Sequence, residues 1–227
     1  MNAEWLARLA GLFVLVLVAI GSQMKGIKIP KTKGFTSAIV ALELAKDPEV
    51  ARTVLSNPGM RDRIRKNLAW DRWFLLAYPL LYATLGLLLT QRPGRWYLVF
   101  GIAAAVLAVA AAPLDASENR HVLRILEIDP QNTAELQAAM DAAYRPSVLK
   151  WTAVSASMAL LSLLFFGDGI LQAIPGVLLL IAGLIGLATF VYAPCAEWSL
   201  HWALQVVPGL AILSWLIWPD WLLRIWR

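Results

Sequence analysis

The side chains best able to do chemistry fall in one short stretch, Asp115-Ala-Ser-Glu118-Asn119. Spacings of three and four put Asp115, Glu118 and Asn119 on one helical face. An apolar run over residues 96–114 precedes them and is long enough to cross a bilayer, so the simplest expectation is a single helix that leaves the membrane with two carboxyls and an amide on its end. Such groups at a membrane boundary are costly without partners. If buried, Asp115 and Glu118 are close enough to share a proton and act as an acid–base pair. Lys150, at the mouth of the next apolar run, is the natural countercharge and could grip a phosphate or carboxylate headgroup. No nucleophile motif, Gly-rich phosphate loop or His-rich signature accompanies them.

Metal ligation is a second chemistry the residue types allow. Glu118 and His121 form a Glu-x-x-His step, and Glu197 and His201 stand four apart. Di-metal carboxylate bundles need two such Glu-x-x-His steps, and the chain supplies one. Any metal site would therefore draw on Glu118, His121, Glu197 and His201, against the plainer reading of His121 as an interfacial residue.

The elements that must position these groups follow from composition. Of 227 residues 59% are hydrophobic and only 15% charged, with mean hydropathy +0.64. Soluble domains carry about 25% charged residues, so the chain is expected to be an integral membrane protein. The expected fold is an all-α polytopic transmembrane helix bundle, one domain over residues 1–227. About six spans are predicted, at residues 6–22, 70–90, 96–114, 151–166, 170–193 and 200–218, with short amphipathic helices on the cytoplasmic side. Residues 6–22 resemble a signal peptide only weakly, because the basic flank follows the apolar run rather than preceding it, and they are expected to stay as a span. The one cysteine, Cys195, excludes an internal disulfide framework.

Segments 23–69 and 115–150 are expected in the cytoplasm, because residues 23–72 hold eleven of the chain's twenty Lys and Arg. That places the N-terminus outside, and the expected location is a bacterial inner membrane. Residues 25–33 form a basic, proline-containing strap expected to lie on anionic inner-leaflet lipid rather than on nucleic acid. Residues 35–46 read as a helix. Asp47 reads as the N-cap of another, with Pro48 in its first turn. Asn57-Pro58-Gly59 is a turn. Residues 133–144 read as a polar amphipathic helix that Arg145-Pro146 ends. Eleven tryptophans suit a chain with many membrane–water boundaries.

With this topology the ionisable ends fall at one depth. Asp71 opens a span that starts inside, Asp115, Glu118 and Asn119 close one that ends inside, and Lys150 opens the next. Glu43 lies in the preceding cytoplasmic segment. Tyr78 sits about 10 Å deeper than Asp71 along its helix. The order Glu43, Asp71-x-x-Phe74-x-x-x-Tyr78, Asp115-x-x-Glu118-Asn119 and then Lys150 resembles a group of small bacterial multi-pass membrane proteins without an assigned activity, over about residues 35–165. The resemblance implies that Glu43, Asp71, Tyr78, Asp115, Glu118, Asn119 and Lys150 share a site, and implies no reaction. Three functions fit: binding or transport of a small amphipathic ligand or ion, catalysis on a lipid-like substrate with or without a metal, and a structural role in which the acids pair with Lys150, Arg72, Arg120 or Arg124 to lock the bundle. Oligomeric assembly stays open.

Overall fold

A computed structural model describes residues 3–24, 26–166 and 170–201. Its elements in order are α1 (Ala3–Gln23), β1 (Lys28–Thr32), β2 (Phe35–Ser37), α2 (Ala38–Leu44), α3 (Pro48–Leu55), α4 (Met60–Leu89), α5 (Arg95–Ile125), α6 (Thr133–Leu161), α7 (Ile170–Leu187) and α8 (Cys195–His201), with 3-10 turns at Ser162–Leu164 and Ala188–Phe190. Five of the described helices are long and apolar enough to cross a membrane. The expected span at 200–218 lies outside the described residues beyond His201, where α8 ends.

Helix length explains how the site is placed. At about 1.5 Å per residue, the 31-residue α5 outruns a hydrocarbon core of about 30 Å. Its first twenty residues are long enough to cross, which leaves the part from Asp115 on as an overhang. The 30-residue α4 also exceeds that length, and its polar residues are concentrated at its start. The overhanging ends of α4, α5 and α6, together with α2, α3 and the strands, enclose a hydrophobic core of their own that includes Ile29, Phe35, Leu42, Val54, Ile64, Ile125, Leu136 and Met140. Within the spans the packing divides into two further clusters, one around Leu88, Ala104 and Leu161 and one around Val14, Tyr78 and Ala111. α4 and α5 approach closely where glycine faces glycine: a Cβ on Gly86 would lie 2.6 Å from the Gly101 carbonyl oxygen. Gly183 likewise lets α7 lie on the backbone of α6 at Ser155. Tryptophans Trp5, Trp96 and Trp198 are exposed near helix ends, and Trp70 and Trp73 are exposed part-way along α4; an indole suits a headgroup boundary.

Two expectations need correction. Pro146 does not end a helix, because α6 runs unbroken from Thr133 to Leu161 with Pro146 inside it. The ring deprives the Ala142 carbonyl of its intrahelical donor, and Ala142 lies on the exposed side, where that carbonyl can be solvated. The helix expected over residues 35–46 begins at Ala38 instead, with the Ser37 hydroxyl accepting from the Val40 N–H as N-cap. The basic strap, given no secondary structure from the sequence, contributes one strand of an antiparallel hairpin. Ile27 and Ile29 are buried and Lys28 exposed, the alternation a half-buried strand requires. Lys33 and Gly34 close the loop with positive φ at both positions, as a two-residue primed turn demands. The pairing is irregular between its ends, where Pro30 has no N–H to give. The cap at Asp47 and the turn at Asn57-Pro58-Gly59 are as expected: the Asp47 carboxylate accepts from the Glu49 N–H, and Gly59 has φ 73°.

Candidate functional site

Lys150 is the hub of a buried charged cluster. α6 carries it across from α5, and its Nζ lies 2.5 Å from Glu118 Oε1 and 3.4 Å from Asp115 Oδ1. Glu43 reaches in from α2, with Oε2 at 3.5 Å. An ammonium has three protons to direct, and three acids surround this one. Glu118 is fully buried, and Glu43, Asp115 and Lys150 are each 7% exposed or less. The Trp151 ring centroid lies 4.9 Å from Lys150 Nζ, so an aromatic face also screens the ammonium.

Two further groups extend the cluster in opposite directions. Deeper in the membrane, the Tyr78 hydroxyl donates to Asp115 Oδ2 at 3.2 Å. Asp115 thus spends one oxygen on Lys150 and the other on Tyr78. At the rim, Asn119 Nδ2 donates to Asp71 Oδ2 at 2.5 Å, and both residues are only half-buried. Glu43, Asp115, Glu118, Lys150 and Tyr78 are thus joined by ion pairs and hydrogen bonds, while Asp71 and Asn119 bond to each other beside them. Arg72, Arg120 and Arg124 are exposed, and none is among the ion pairs of this cluster.

The balance of charge inside is uneven. Glu43, Asp71, Asp115 and Glu118 are four carboxyl groups, and Lys150 is the ammonium they surround. Glu118 Oε2 is buried and accepts no hydrogen bond among the described residues. Its neighbour is the Glu43 carboxyl. Two carboxyls can bond only through a shared proton, so full ionisation would leave Glu118 half-satisfied in a site shielded from water.

The three long helices of the site each carry a proline within about one turn of a site residue: Pro79 beside Tyr78, Pro113 before Asp115, and Pro146 before Lys150. Each ring removes one i→i−4 hydrogen bond, and such positions are where helices bend most readily.

Among the described residues the metal candidates form no ligand group. Glu197 is committed to backbone: its carboxylate accepts from the Thr36 N–H, the Thr36 hydroxyl and the Ser37 N–H, at 2.7 to 3.1 Å. It clamps β2 to α8. His121 is half-buried on α5, and the side chain of His201 lies outside the described residues. Among the described residues no group of three His, Cys, Asp or Glu is arranged to hold a metal.

The clamp at Glu197 and the screen at Trp151 were not anticipated. Trp151 had a local signal, because it follows Lys150 directly at the mouth of a span. Glu197 had none, since its partners lie about 160 residues away in sequence. A similar latch joins α3 to the loop before α6, where Arg52 donates to the Pro130 carbonyl and the Thr133 hydroxyl.

Five membrane-length helices and a buried ionic hub at their boundary define a multi-pass helical membrane protein. No protein-family model, curated protein or solved structure matches the chain.

Proposed function

We propose that the protein binds, and by exchange with protons transports, a small cation or positively charged amphipathic ligand at the cytoplasmic boundary of the inner membrane. The observation that carries this reading is the excess of carboxyl groups around Lys150, with Glu118 Oε2 buried and lacking a donor. A site of this composition must take up protons or a cation to be neutral in a low-dielectric setting. Asp71 and Asn119 give a half-exposed entry, and the prolines in α4, α5 and α6 supply places for the helices to bend. The likeness of these same residues to those of small bacterial multi-pass membrane proteins supports a shared site.

The test uses the full chain in lipid nanodiscs with tetraphenylphosphonium as the probe, in weakly buffered solution with a pH indicator. Binding should release on the order of one proton per protein, weaken as pH falls, and be lost in Glu118→Gln. Absence of binding, together with a Glu118→Gln variant as stable as the parent or more so, would overturn the proposal and leave the acids with a purely structural role.

A further inference from the structure

A second feature lies on the same face of the molecule, away from the acid cluster. Where α7 ends and turns into α8, a cleft of about 370 Å³ opens between that bend, the hairpin loop and the α2–α3 junction. Its polar lining is Lys33, Lys46, Asp47, Tyr144, Thr189 and Tyr192. The hairpin tip is fitted to the bend. A Cβ on Gly34 would lie 2.9 Å from Pro194 Cγ and closer still to the Tyr192 hydroxyl, so only glycine lets the loop seat there.

The lining is chemically incomplete. Lys46 Nζ sits 4.3 Å from the centroid of the Tyr144 ring, and no carboxylate among the described residues pairs with it. Lys33 is paired with Asp47, but an ammonium has three protons to offer. Thr189 Oγ1 is buried and lacks a hydrogen-bond partner among the described residues. Two ammonium groups against one carboxylate leave the cleft with a formal charge of about +1. Beside this polar end the surface is apolar: Phe190 and Tyr192 are more than half exposed and Val191 is 92% exposed, all at the end of a helix long enough to span a bilayer. A cationic recess with a free hydroxyl, opening onto exposed apolar side chains at a membrane boundary, matches an anionic headgroup with its acyl chains alongside. The volume falls in the range of small-ligand sites. It suits a headgroup rather than a whole lipid.

We propose that this cleft is a specific site for the phosphate headgroup of an anionic phospholipid from the adjoining leaflet, held by Lys33 and Lys46 with the Thr189 hydroxyl as a further donor. Tyr144 keeps Lys46 aimed into the cleft, and the Asp47 contact keeps Lys33 there. The inference does not depend on what the Lys150 cluster binds.

The full chain is reconstituted in nanodiscs containing phosphatidylglycerol and phosphatidylcholine in equal amounts, and lipids retained after mild extraction are counted by native mass spectrometry. Phosphatidylglycerol should be retained preferentially, and Lys46→Gln should cut that preference about fivefold, as expected for one lysine at an anionic surface. Lys28→Gln removes an exposed hairpin lysine that does not line the cleft and should leave the preference intact. Thr189→Val, of nearly the same shape, should weaken retention without lowering the unfolding temperature. Equal retention of both lipids would overturn the site. So would equal losses in Lys28→Gln and Lys46→Gln, which would mean a diffuse surface effect. If soluble glycerol 3-phosphate displaces the retained lipid completely at low concentration, the cleft is a free-phosphate site and the lipid assignment falls.

Discussion

Glu118 and Glu197 are the same residue type, and the fold uses them in opposite ways. Glu118 is fully buried and faces Lys150 with other acids pressed around it. Glu197 is half-buried and satisfied by two backbone N–H groups and a hydroxyl of one strand. The first is a crowded charge whose second oxygen has no donor. The second is an anion whose acceptor sites are filled by neutral donors. A carboxylate held by backbone N–H groups fastens two segments together. One held among other carboxylates lacks the donors that full ionisation requires. The difference lies in the supply of donors, which depends on what the fold brings to each side chain.

The largest expected effect is on the crowded side. Replacing Lys150 by Met leaves three buried acids without their countercharge and should destabilise the protein by about 3–5 kcal/mol, read as unfolding in mild detergent. Adding Glu118→Gln to that variant should recover part of the loss, because it removes one of the stranded charges. If the double variant is no better than the single, the acids are not competing for Lys150 and the contrast with Glu197 fails.

A smaller effect is expected at the clamp. Glu197→Ala removes charge-assisted hydrogen bonds worth about 2 kcal/mol in all. The loss should be local, with faster amide exchange at Thr36 and Ser37 and little change in the spans. A global fall in stability would show that the hairpin and the bundle unfold together.

The smallest effect concerns Asp47, a half-buried acid. The Lys33 ammonium and the Glu49 N–H hold its carboxyl below the usual carboxylate range. A depressed folded value stabilises the protein above the unfolded value of about 4 and stops doing so as pH falls through the folded value. Asp47→Asn keeps the capping oxygen and removes the charge. It should cost under about 1 kcal/mol near neutral pH, and the two stability curves should converge in acid. Curves that stay parallel at low pH would show that Lys33 does not sense the Asp47 charge.

Much of this was legible before any coordinates. The apolar runs located the membrane helices, and Asp47-Pro48 and Asn57-Pro58-Gly59 marked local boundaries by side-chain chemistry that acts within a few residues. The acids and Lys150 were expected in one layer because helix length and span direction alone place their ends. The hairpin was harder to see. Its alternation of isoleucine and lysine is short, Pro30 interrupts it, and the surrounding lysines read equally well as a solvated strap. Pro146 misled for a related reason: a proline near a boundary ends a helix unless the freed carbonyl can be solvated, and that depends on exposure.

By itself the sequence determined that this chain is a bundle of membrane helices, and that its ionisable residues gather where those helices emerge, because hydrophobic length and helical rise leave a side chain little choice of depth. Only the tertiary structure decided which of these groups touch. Lys150 takes Glu43, Asp115 and Glu118, Asp71 takes Asn119, and Glu197 leaves the layer to hold a strand. Depth is set along one helix axis, but contact depends on how helices rotate and pack against one another, and that is fixed by the shapes of residues far apart in the chain.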